Sequence, residues 1–92
     1  MVCIELKPNL SSCIEILSKR EYERTLNLLL KKGPLVDEEL GERLETLRLF
    51  LESTDFGHLR SQYERHLVEG KKVTFLIYPE ERKVIYKLIV ED

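Results

Sequence analysis

The sequence predicts an α+β domain: an antiparallel sheet built from both ends of the chain, with three helices between. Three observations predict it. Residues 72–78 (KVTFLIY) and 83–90 (KVIYKLIV) are β-branched and aromatic runs on either side of a short break. Three stretches between residues 18 and 70 carry leucines and aromatics at three- and four-residue spacing, each bounded by capping residues or a glycine. Val2, Ile4 and Leu6 alternate as side chains on one face of a strand do.

At the N-terminus, the alternating run gives a strand over residues 2–7, ended by Lys7-Pro8-Asn9. Residues 13–17 (CIEIL) are expected to pair with it as a second strand. Carrying the first helix back to Ser12 would scatter Ile14, Ile16 and Leu17 relative to the stripe that follows. The element order is therefore ββαααββ.

The first helix is expected to open at Ser18, which has capping-box spacing to Glu21. It continues through Tyr22, Leu26, Leu29 and Leu30 to the break at Gly33-Pro34. A second helix begins near Asp37 and sets Leu40, Leu44, Leu47 and Leu51 on one line, with Phe50 beside that line and Leu49 on the opposite face. The third starts among Ser53, Thr54 and Asp55, all good N-cap types. It carries Phe56, Leu59, Tyr63 and Leu67, and stops at Gly70.

For the hairpin, Pro79-Glu80-Glu81-Arg82 reads as a four-residue loop, with Tyr78 facing Lys83. That register sets Val73, Phe75 and Ile77 opposite Leu88, Tyr86 and Val84 as the core face. The other face carries Lys72, Thr74, Leu76 and Tyr78 opposite Ile89, Lys87, Ile85 and Lys83. It is more apolar than a solvated sheet face usually is.

Composition narrows function. Ninety-two residues, 42% apolar and 35% charged, are expected to make a single domain over 1–92 with a core and a soluble surface. The net charge of −2 disfavours a general polyanion binder. No apolar run is long enough to span a membrane and the start lacks a signal-peptide pattern, so a cytoplasmic location is expected. Cys3, Cys13, His58 and His66 show no metal-ligand spacing, and no metal or cofactor is expected. The four glycines form no phosphate loop, and neither histidine has a nucleophile and an acidic orienter at a recognisable spacing. No catalytic residue is nominated, and the chain is not expected to be an enzyme.

One resemblance rests on the helix ending LNLLLKK, the Gly-Pro break, the following DEELGERL (37–44), the later HLRSQYERHLV (58–68) and the hairpin. Over residues 26–90 this order resembles the winged-helix DNA-binding family. The resemblance implies a recognition helix over 58–68 and a wing over 72–90, with Arg60, Gln62, Arg65, Arg82 and Lys83 as nucleic-acid contacts. The departure comes at the turn. The leucine line runs on to Leu51 without a Gly or Pro between Glu42 and Glu52, and residues 37–52 hold six acids against two arginines. Arg60 and Arg65 also have Glu64 and Glu69 one helical turn on.

The favoured reading is therefore a protein-interaction module that forms a homodimer through Leu76, Ile85 and Ile89, with a winged-helix-like DNA-binding regulator as the alternative. The mixed face of the hairpin, the off-line Leu49 and a strand at the sheet edge motivate it.

Overall fold

In the computed structural model, residues 2–32 and 37–92 are described. The elements run β1 (Ile4–Leu6), α1 (Ile14–Lys32), α2 (Glu38–Ser53), α3 (Phe56–Val68), β2 (Lys72–Glu80) and β3 (Lys83–Glu91). The sheet order is β1-β2-β3, antiparallel throughout. The α+β architecture holds, but one N-terminal strand stands where two were expected. β1 pairs with β2, with Ile4 opposite Ile77 and Leu6 opposite Phe75.

Residues 13–17 are the correction. Instead of a strand, residues 14–17 form the first turn of α1 with Cys13 just before it, and two local devices set that start. The Asn9 side chain accepts from the N–H groups of Ser11 and Ser12, both at 2.8 Å, which turns the chain after Pro8. The N–H of Leu17 then donates to the Cys13 carbonyl at 3.1 Å, the first helical bond. Ser18, expected as an N-cap, lies one turn inside the helix. It is buried, and its hydroxyl donates to the Ile14 carbonyl at 2.7 Å. The core-facing stripe of α1 is Ile14, Ser18 and Thr25. Small polar residues occupy two of its buried places, which hides the period from an apolar count.

α2 and α3 start on the capping chemistry expected of them. Asp37 accepts from the Leu40 N–H, and Asp55 accepts from the His58 N–H, each at 3.1 Å. α3 ends in a Schellman arrangement, with Gly70 N–H to Leu67 O and Lys71 N–H to His66 O, and Gly70 at φ 85°. The Gly33-Pro34 break lies outside the described residues. On α2 the core face is Thr46, Leu47 and Phe50; Leu40, Leu44 and Leu51 are half-buried. Phe50 takes the deeper place because its ring meets Phe56 and Tyr86 edge-on, at 5.6 and 6.5 Å.

The hairpin is longer than expected. Its strands reach Glu80 and Lys83, leaving the two-residue turn Glu81-Arg82 with Glu81 at φ 55°. Pro79 is inside β2, at a place where β1 has already ended, so no ladder bond needs its missing N–H. The register differs from the expected one by two residues: Phe75 faces Leu88 and Ile77 faces Tyr86. A shift of two keeps every side chain on its own face. Val73, Phe75 and Ile77 are accordingly buried, in one core with Ile4, Leu6, Ile14, Leu47, Phe50, Leu59 and Tyr63.

Candidate interaction surface

Every sheet residue in the core cluster belongs to one face, and the helices pack on that face. The residues of the other face stand outside that core. There the register sets Glu5, Leu76 and Lys87 in one row, Tyr78 beside Ile85 in the next, and Thr74 beside Ile89 on the far side. Leu76, Tyr78, Ile85 and Ile89 are half-buried there. Leu76 is central, and Ile85 and Ile89 are its diagonal neighbours across the β2–β3 pair, within reach of one another. The structure thus brings Leu76, Ile85 and Ile89 together on one face of the sheet. Lysine stems at Lys72, Lys83 and Lys87 border it, and Glu5, Glu80 and Glu91 supply acids.

The sheet is also open at one edge. β1 covers the far side of β2, so among the described residues β3 has no strand neighbour beyond β2. Val84, Leu88 and Val90, on its helix-facing side, are half-buried, and Tyr86 is 37% exposed. The helical layer covers β2 fully and β3 in part. The Tyr86 ring leans on Phe75 at 5.8 Å, and its hydroxyl donates to Gln62 Oε1 at 3.4 Å. A nine-residue edge, apolar on its helix-facing side and mixed on the other, leaves backbone groups open to another strand. Alternation along β3 alone could not show this, since the edge position depends on where β1 docks.

The candidate nucleic-acid residues are not gathered on one face. Arg60 lines the hollow at the start of α1 with Cys13 and Tyr63, and its guanidinium lies 3.3 Å from Glu64. Gln62 points the other way, toward Tyr86, with His58 at 3.2 Å. Arg65 is 3.3 Å from Glu69. Arg82 and Lys83 stand at the hairpin tip. On α2, Arg48 donates to both Glu45 and Glu52. The Arg48 bond holds the Glu45 carboxyl below its usual range, and the two acids hold the proton on Arg48 more firmly. Arg43 donates to Glu21 of α1 at 3.0 Å.

Both cysteines are free thiols. Among the described residues no group of three or more His, Cys, Asp or Glu side chains is placed to hold a metal ion. No described helix is long and apolar enough to cross a membrane. His66 Nδ1 is buried without a hydrogen-bond partner among the described residues.

No curated protein and no solved structure matches the chain. A family model does match it, over residues 1–89, and the chain belongs to that family.

Proposed function

We propose that the protein is a small non-enzymatic interaction module that self-associates as a homodimer through the open part of its sheet. One observation carries the reading: Leu76, Ile85 and Ile89 form a single, half-buried aliphatic cluster on the sheet face that lies outside the core. With the lysine stems around it, such a cluster reaches a few hundred Å², the scale at which exposed apolar area marks an interface. A chain of this length buries a modest core, so apolar contacts that a second copy makes with this part of the sheet add stability that the fold can use. The arginines named for nucleic acid point in different directions or lie against acids, which supports a protein partner over DNA.

The experiment is sedimentation across a concentration series from below one to several hundred micromolar. A dimer in equilibrium with monomer is expected, and Ile85→Glu is expected to shift it to monomer with helix content intact. A wild type that stays monomeric at every loading overturns the reading. A dimer that survives Ile85→Glu moves association to another surface.

A further inference from the structure

Resting on this self-association reading, we infer that the second copy adds its own β3 antiparallel to β3, in the register centred on Lys87. The strand reads KVIYKLIVE and is close to symmetric about that lysine. A two-fold axis through Lys87 sets Val84 opposite Val90, Ile85 opposite Ile89 and Tyr86 opposite Leu88. At the two ends Lys83 meets Glu91. Sliding the copies by two residues either way sets Lys87 against Ile85 or Ile89 and leaves both end charges without an opposite. Charge and shape therefore select one register.

The backbone agrees with it. A two-residue turn closes on a hydrogen-bonded pair, here Glu80 and Lys83, and bonded and non-bonded pairs then alternate along an antiparallel ladder. Lys83, Ile85, Lys87 and Ile89 thus direct their N–H and C=O groups to β2. Val84, Tyr86, Leu88 and Val90 direct theirs to the open edge. In the Lys87-centred register, edge-directed residues meet only edge-directed residues, so every exposed N–H and C=O finds a partner. A register shifted by one residue would set edge-directed groups against inward-directed ones.

The side chains gain as well. The axis is normal to the sheet, so both helical layers lie on one side. Leu88 of the second copy then extends the partial cover over Tyr86. On the opposite side Ile85 of each copy packs beside Ile89 of the other, so the two clusters meet along the seam. The one unfavourable contact is Lys87 against its own copy, a like-charge pair on an edge strand that also keeps the free monomer from uncontrolled pairing.

Disulfide trapping tests the register. Lys87 faces itself as a non-bonded pair, with Cα atoms about 4.5 Å apart, inside the range of about 4.4–6.8 Å that a disulfide spans. Lys87→Cys and Leu76→Cys are each made in a Cys3→Ser, Cys13→Ala background and oxidised mildly above the dimer concentration. Lys87→Cys is expected to cross-link at least tenfold faster than Leu76→Cys. The reverse order overturns edge pairing in favour of face-to-face stacking and leaves the homodimer standing. A dimeric wild type with neither variant cross-linking also overturns the register. A monomeric wild type removes the self-association reading, and the pairing with it.

Discussion

The backbone N–H of Ile14 donates to the Tyr63 hydroxyl at 3.0 Å in a buried setting. Ile14 opens α1, and Tyr63 lies 49 positions later in the middle of α3. One helix thus satisfies the first amide of another, an amide that would otherwise be left without a partner away from water. Tyr63→Phe keeps the ring packed on Phe75 at 5.4 Å and removes the acceptor alone. Chemical denaturation should register a loss of about 1–3 kcal/mol, the cost of one unsatisfied buried donor. A change under about 0.5 kcal/mol, within the scatter of neutral substitutions, would mean the amide finds water instead.

Burial pushes the Tyr63 phenol above its ordinary value near 10, against the opposing pull of the Ile14 N–H. The folded state therefore favours the neutral phenol. Its contribution is fully present below about pH 10 and is lost as pH rises through the higher folded value. Denaturant midpoints measured between about pH 8 and about pH 11 should fall more steeply for wild type than for Tyr63→Phe. Equal slopes would show that this phenol does not titrate abnormally.

Phe75 stands at the crossing of the sheet and both aromatic neighbours, Tyr63 and Tyr86, and is 0% exposed. Phe75→Ala should cost about 3–5 kcal/mol in urea unfolding. A loss below about 1 kcal/mol would be incompatible with a filled core at this position.

Much of this arrangement is legible in the sequence, because periodicity survives errors of register. The two faces of the hairpin follow from alternation alone, so a two-residue error left Val73, Phe75 and Ile77 in the core and Leu76, Ile85 and Ile89 outside. The start of α1 was not legible. Its buried stripe uses Ser18 and Thr25, and its first amide is held by a tyrosine far along the chain. Pro79 misled for a related reason: a proline ends a strand only where the ladder needs its N–H, and β1 stops short of it.

Two turn positions should respond in opposite directions. Gly70 holds φ 85° with open space around it, so Gly70→Ala carries only the backbone cost, about 1 kcal/mol destabilising. Glu81 holds φ 55° with a side chain attached, and Glu81→Gly should stabilise by about 0.5–1 kcal/mol. Thermal midpoints of the two variants on opposite sides of wild type would establish both; a shared direction would contradict one.

The open edge of β3 is the centre of the account, and amide hydrogen exchange reads it directly. The N–H groups of Val84, Tyr86, Leu88 and Val90 face that edge, while those of Ile85, Lys87 and Ile89 are bonded to β2. At concentrations that favour monomer, the first set should exchange quickly and the second slowly. As concentration rises, the four edge amides should become protected together, at the same midpoint that sedimentation gives for dimerisation. Edge amides that exchange quickly at every concentration, in a protein that sediments as a dimer, would contradict edge pairing.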